Sequence, residues 1–362
     1  MEMSKMKAAI LKKFGAPLIV EHVPMPAIGT GEVIVDVVAA PMVSYARDVF
    51  SGARNYPLPT PVIPGLGGIG RVREAGPDAT HLNIGDWVFC DPTVRSRDDA
   101  LMPDIALQGW SARGKGGAKL QTYHRDGTFA EQVRIPTECA IPIGHIDASN
   151  ASRWSALSVL TIAYGGLVAL DFRPGETLLV NGATGNFGSA TVQVALAMGA
   201  RCVVAVGRNE TVLEDLRRRF GERLVPVRLS EDASTAAMQA ATQNPIDAVL
   251  DFLPPHVPAT VARAAVMSVR PYGRVVLMGG VGMLGGEDLA LPYPWIMRNN
   301  ITIRGQWMYE AKSVTTLIGL IRVGLLDLEQ FEVAEFGIDR INEAVSHAFR
   351  HAGPFRLTVT TM

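Results

Sequence analysis

Over residues 1–150 the apolar positions fall in short β-branched runs separated by Gly and Pro. Residues 32–38 (EVIVDVV), 69–72 and 87–89 are the clearest. Each is bounded by turn residues, which predicts a small antiparallel or barrel-like domain. Residues 91–126 interrupt it with a charged patch (RSRDD), a Gly/Lys patch (GKGGAK) and few periodic apolar positions. That stretch predicts a long excursion, a lid or a partly mobile loop.

From about 155 to 305 the pattern becomes strands alternating with helices. Strands are predicted over 177–180, 202–206, 223–227, 247–253, 274–278 and 301–304, and helices over 188–198, 210–220, 234–241 and 258–270. Asn209 is placed to cap the helix at 210 and Gly221 to end it. Apolar strands alternating with helices predict a doubly wound parallel sheet covered on both faces. The tail from about 311 holds two helical patterns and two extended runs that complete one domain or the other.

A chain of 362 residues is long for one core and comfortable for two. Its formal net charge of −1 gives no electrostatic footprint for nucleic acid or an anionic membrane. No stretch approaches the ~20 apolar residues of a membrane span. Cys90, Cys139 and Cys202 are scattered and odd in number, so they define neither a disulfide framework nor a metal-ligand spacing. Buried thiols in a reducing cytoplasm are the expectation.

The strongest signal is residues 176–200, ETLLVNGATGNFGSATVQVALAMGA. An apolar strand ending at Asn181 runs into the turn Gly182-Ala183-Thr184-Gly185-Asn186-Phe187-Gly188 and then into a helix. Gly185 lets backbone approach a pyrophosphate, and Gly188 lets the helix lie against the strand. The helix N-terminus offers free N–H groups and partial positive charge to the phosphates. Glycines alone are weak evidence, but the strand before, the helix after and the next strand at the right distance all agree on a dinucleotide site. Ligands of such sheets bind at the carboxyl edge, which adds Asp251-Phe252-Leu253 and Met278-Gly279-Gly280 to the candidate site.

The second strand ends Ala205-Val206-Gly207-Arg208-Asn209. An NAD-specific fold usually carries an acid there for the ribose hydroxyls; here none appears before Glu210. The missing acid removes a repulsion against a 2′-phosphate, and Arg208 supplies a positive partner for one, so NADP(H) is favoured over NAD.

The order of these segments resembles the medium-chain dehydrogenase/reductase superfamily along nearly the whole chain. Supporting segments are Ile63-Pro64-Gly65, Gly70-Arg71-Val72 with Gly76, Gly85-Asp86-Trp87-Val88, Gly127-Thr128-Phe129-Ala130-Glu131, Ile162-Ala163-Tyr164-Gly165 and Ile341-Asn342-Glu343-Ala344. The superfamily's zinc branch places an early Cys, then Gly-His-Glu, then a further ligand. Here those places read Met42-Val43-Ser44-Tyr45 and Gly65-Leu66-Gly67, with no Cys near Ser158 and none in residues 91–126. The resemblance therefore implies the zinc-free branch, with no catalytic or structural zinc. That branch contains quinone oxidoreductases and enoyl reductases.

Hydride transfer needs C4 of the nicotinamide set against the acceptor and a donor for the charge that develops on oxygen. Tyr56, in a segment resembling one in which related enoyl reductases carry a functional tyrosine, is one candidate. Tyr45, near the lost zinc position, is a second, and Ser44 a third. Arg47 and Asp48 read as a surface pair, His124 as a solvated loop residue, and Trp110 as either a pocket wall or a loop anchor.

These readings combine into an α/β protein of two domains with a substrate cleft between them. Residues 1–150, completed by 310–362, form a GroES-like mixed β domain, and residues 151–309 a Rossmann doubly wound parallel sheet. The expected function is zinc-independent, NADPH-dependent hydride transfer to a quinone or an activated C=C, in an enone or enoyl compound. Alternatives are a zinc-free alcohol or carbonyl dehydrogenase and a non-catalytic nucleotide-binding protein of the crystallin kind. The expected partners are a small-molecule substrate and, by resemblance, a second copy in a homodimer.

Overall fold

A computed structural model describes residues 4–229 and 234–362. The chain divides into two compact units, residues 1–158 with 328–352 and 356–362, and residues 159–327 with 353–355. The return to the first unit thus comes at Leu328 rather than near 310, and helix Lys312–Arg322 stays with the second unit.

In the first unit, strand Glu32–Met42 is the hub of a seven-stranded sheet. It pairs antiparallel with Gly68–Ala75, Gln132–Pro136 and Arg356–Thr361. Nearly all of its side chains are buried, as its β-branched run requires. The hub strand continues through Met42, so its end delivers Val43, Ser44 and Tyr45 to the start of helix Ala46–Phe50.

The expected lid or mobile loop at 91–126 is instead an ordered small layer. Strands Thr93–Arg95, Ile105–Leu107 and Ser111–Ala112 form a three-stranded sheet, followed by helix Gly114–Tyr123 over the Gly/Lys patch. What fixes it is burial of single side chains rather than periodicity. Trp110 is 1% exposed, and Gln108 donates to the Asp126 and Arg134 carbonyls at 2.8 and 2.7 Å.

The second unit holds a six-stranded parallel sheet in the order Leu224–Arg228, Cys202–Gly207, Thr177–Asn181, Ala248–Asp251, Arg274–Leu277, Thr302–Gly305. The three middle strands are buried along their whole length, the signature of a sheet covered on both faces. Asn209 caps helix Glu210–Phe220 by accepting from the Val212 N–H at 3.1 Å, and Gly221 ends it with φ +67°. At the amino edge of the sheet, Arg270 and Arg274 neutralise Asp247 and Glu176, with N–O distances of 2.6 and 2.5 Å.

Gly182 leaves the first strand in the left-handed region, φ +88°, and its N–H and that of Ala183 both donate to the Val206 carbonyl. Helix Asn186–Ala197 then folds back tightly. A Cβ at Gly188 would lie 2.2 Å from the Gly182 oxygen and 2.7 Å from the Ala183 Cα. Both neighbours are backbone and cannot move aside. Gly188→Ala is therefore expected to destabilise the protein by about 1–3 kcal/mol, read as a lower thermal or urea midpoint. An unchanged midpoint would mean that the helix lifts off the strand without cost.

Candidate functional site

The turn expected to hold a dinucleotide is built as the sequence implies. Gly185 is the N-cap of helix Asn186–Ala197 and places no side chain over the helix end. The N–H groups of Asn186, Phe187 and Gly188 therefore have no intrahelical acceptor and point outward with the positive end of the helix dipole. A Cβ at Gly185 would meet only the Gly182 oxygen at 3.4 Å, so the approach to this turn is open. Phe187 stacks on Phe252 with ring centroids 6.2 Å apart, tying the turn to the end of strand Ala248–Asp251. These residues fit a dinucleotide pyrophosphate.

At the second strand the missing acid has a steric cause that sequence reading did not reveal. A Cβ on Gly207 would lie 2.4 Å from Thr184 Cγ2, so Thr184 occupies the space. Arg208 is exposed beside it and makes no ion pair or hydrogen bond among the described residues. Arg228 instead takes the nearby Glu210 carboxylate at 2.7 Å. The strand end is left with an unengaged guanidinium and a neutralised acid.

The structure brings Asn181, Asp251, Leu253, Gly279 and Gly280 together at the carboxyl edge. Asn181 Nδ2 donates to Asp251 Oδ1 at 2.6 Å, and the Leu253 N–H donates to Oδ2 at 3.3 Å. The Gly280 N–H donates to the Leu253 carbonyl at 2.7 Å. A Cβ at Gly279 would lie 2.6 Å from both Asp251 Oδ2 and the Leu253 carbonyl oxygen. Asp251 has no cation, and burial pushes its carboxyl from 3.8 up to about 6, against the pull of the Asn181 and Leu253 bonds.

In the first unit, Tyr45 and Tyr56 share one cluster with Arg54 and Trp110. The Arg54 guanidinium lies 4.7 Å from the centroid of the Tyr45 ring. Trp110 meets Tyr45 and Phe50 edge-on at 6.1 and 5.5 Å, so it is an anchor for the cluster as well as for its loop. Burial, then the Tyr56 phenol, pushes the Tyr45 pKa up; Arg54 and the Trp110 indole N–H draw it partly back. Burial likewise raises Tyr56. Both phenols are therefore protonated donors near neutral pH. Ser44 is half-buried beside Tyr45 and its hydroxyl has no partner among the described residues.

Three readings change. Asp48 faces Arg54, at 3.9 Å, and not Arg47, which lies over the Phe349 ring. His124 is half-buried against Tyr123 rather than solvated, and burial lowers its pKa. Arg54 was missed altogether; its only sequence signal was its place between Tyr45 and Tyr56.

The residues present do not fit a catalytic metal. Gly67 has φ +74°, and a Cβ there would lie 2.7 Å from the Cys90 carbonyl oxygen and 3.0 Å from Pro92 Cδ. Thr128 locks the segment by donating to the Gly67 oxygen at 2.6 Å, and a Cβ at Gly65 would strike the Thr128 N–H. Ser158 spends its hydroxyl on the Ser155 carbonyl. Among the described residues no group of three or more His, Cys, Asp or Glu could hold a metal ion.

The raised Asp251 pKa has a consequence for stability. Below about pH 4 the carboxyl is neutral whether folded or unfolded; as pH rises through about 6 the folded chain must carry a buried charge that the unfolded chain hydrates. Stability from this group is thus present in acid and lost on the alkaline side. Asp251→Asn should remove that slope, so its stability relative to the parent rises between pH 4 and 7 by up to roughly 3 kcal/mol. Denaturation curves at several pH values measure this, and a pH-independent difference would show that Asp251 stays ionised.

Similarity to known proteins agrees with this geometry. The alcohol dehydrogenase GroES-like domain model matches residues 29–145, and the zinc-binding dehydrogenase model matches residues 187–322. An alcohol dehydrogenase of Geobacillus stearothermophilus is 28% identical over 313 residues, spanning 83% of this chain and 84% of that protein. An acryloyl-coenzyme A reductase of Metallosphaera sedula is 27% identical over 296 residues, spanning 80% and 81%. The fold matches that of a thermostable alcohol dehydrogenase from Pyrobaculum aerophilum with a TM-score of 0.75 at 22% identity, covering 99% of this chain and all of that one. With a mixed β unit, a doubly wound sheet and a dinucleotide turn in the matched order, the chain belongs to the medium-chain dehydrogenase/reductase superfamily and is an NAD(P)-dependent oxidoreductase.

Proposed function

We propose that this enzyme reduces an electron-poor C=C conjugated to a carbonyl, using NADPH and no metal. The observation that carries the metal-free reading is Gly67, whose left-handed backbone and close neighbours exclude a ligating side chain. The turn from Gly182 to Gly188 would hold the pyrophosphate, the unengaged Arg208 the 2′-phosphate, and the backbone at Leu253, Gly279 and Gly280 the nicotinamide half. When bound, NADPH supplies a hydride from C4 of its nicotinamide.

The chain's own contribution is hydrogen bonding to oxygen. Tyr45 and Tyr56, both protonated near neutral pH, would donate to a substrate carbonyl as negative charge grows on it, with the Ser44 hydroxyl in reserve. The relatives' names weigh toward an alcohol or carbonyl and, in one case, an acryloyl thioester, rather than a quinone. Carbonyl reduction is therefore the second reading. The three free, buried cysteines are consistent with a reducing, cytoplasmic setting.

The test is oxidation of NADPH and NADH side by side with enones, enoyl thioesters, quinones and aldehydes, with and without a chelator. Chelator-insensitive turnover of an enone with NADPH is expected, and Arg208→Ala should raise the KM for NADPH at least tenfold with little change for NADH. Loss of activity on chelation would overturn the metal-free reading. Tight NADPH binding with no turnover on any acceptor would favour a non-catalytic nucleotide-binding protein.

A homodimer is part of the proposal. Strand Thr302–Gly305 leaves one edge of the parallel sheet unpaired, and exposed Tyr293 and Met297 lie on the helix just before it. Pairing of this edge with its copy would satisfy the open N–H and C=O groups. Light scattering should give a dimer for the parent and a monomer for Ile303→Pro, since proline removes a ladder donor. A dimer that survives the substitution places the interface elsewhere.

A further inference from the structure

Resting on the reductase reading above, we propose that the substrate carries a carboxylate and that Arg54 binds it. Arg54 sits in the short loop after helix Ala46–Phe50. Gly52 and Asn55 both adopt positive φ there, +87° and +52°, and the Arg54 N–H donates back to the Asp48 carbonyl at 3.2 Å. The loop is thereby tied down, with the guanidinium laid over the Tyr45 ring and its charge bearing on both phenols.

Among the described residues the guanidinium makes no hydrogen bond. Its side chain is 15% exposed, and its Nε is buried without a hydrogen-bond partner. Its one carboxylate neighbour, Asp48, stands at 3.9 Å, beyond hydrogen-bond reach. Other half-buried arginines of the chain are engaged. Arg270 and Arg274 meet carboxylates at 2.6 and 2.5 Å, and Arg134 donates to the Ala27 carbonyl at 3.2 Å. Nothing in the fold requires Arg54 to be the exception.

The chemistry of the missing partner follows from the donor set. A guanidinium offers five N–H groups in a planar fork and stays charged at every accessible pH. A single carbonyl oxygen fills one of those donors; a carboxylate fills two at once and neutralises the charge. Phe50 and Trp110 wall the same cluster and lower the local dielectric, which strengthens such a pair. The phenols of Tyr45 and Tyr56 then remain for the reacting carbonyl. A 4-oxo-2-enoic acid has this layout, with a carboxylate and an activated C=C on one short frame.

The test compares trans-4-oxo-2-pentenoate with its methyl ester as NADPH-dependent acceptors, for the parent, Arg54→Gln and Arg54→Lys. The unreactive 4-oxopentanoate, titrated into NADP-loaded protein and followed by tryptophan fluorescence, reads binding without turnover. The parent should prefer the acid by tenfold or more in kcat/KM, mainly through KM. Arg54→Gln should lose about 30-fold on the acid, again through KM, and bring the acid-to-ester ratio near one. Arg54→Lys, which keeps the charge but not the fork, should fall between, and it serves alone if the glutamine variant melts early.

If neither acceptor is turned over, the reductase reading fails, and the 4-oxopentanoate titration decides Arg54 by itself. Binding that the parent shows and Arg54→Gln loses supports the assignment. Equal handling of acid and ester by the parent, or equal 4-oxopentanoate binding by parent and Arg54→Gln, overturns it.

Discussion

The nucleotide-binding half of the molecule depends on one close approach, that of the Gly188 Cα to the Gly182 carbonyl. A side chain at 188 has no room, with backbone 2.2 Å from where its Cβ would stand. Because the helix sits this close to the strand, its first N–H groups emerge directly over the carboxyl edge of the sheet and not out in solvent. The positive φ at Gly182 and the two N–H bonds to the Val206 carbonyl are the means by which the chain reverses in so few residues. Loosening this contact would move the anion site away from the strand ends that complete it.

The two edges of the same sheet are treated in opposite ways. At the amino edge two half-buried carboxylates each meet an arginine, Asp247 with Arg270 and Glu176 with Arg274. At the carboxyl edge Asp251 has only an amide and a peptide N–H, and its pKa rises to about 6. Pairing removes the cost of a buried charge, and leaving Asp251 without a cation keeps that cost in place.

Much of this was legible in the sequence where periodicity or backbone demand set the outcome. The parallel strands announce themselves as unbroken apolar runs, Asn209 and Gly221 bracket their helix as caps do, and the turn from Gly182 to Gly188 is readable because only glycine meets its geometry. What escaped was decided by single contacts between distant residues. Residues 91–126 look loose because their order comes from Trp110 and Gln108 and not from a repeat. Gly207 reads as a cofactor signal, yet Thr184 already fills the space an acid would need. Arg54 is visible in the sequence only by its place between Tyr45 and Tyr56; that its Nε is buried without a hydrogen-bond partner only the folded chain reveals.

A metal-free site, as proposed, changes what the remaining groups must supply. A Lewis acid polarises oxygen without regard to protonation, whereas a phenol does so only while it keeps its proton. Burial raises both tyrosines, so the condition holds across the neutral range. The proposed acceptor, a carbonyl conjugated to a C=C, is one that two protonated phenols could serve. On the proposed assignment the Arg54 guanidinium would add a fixed charge for an anionic group on the substrate, leaving the phenols to the reacting oxygen.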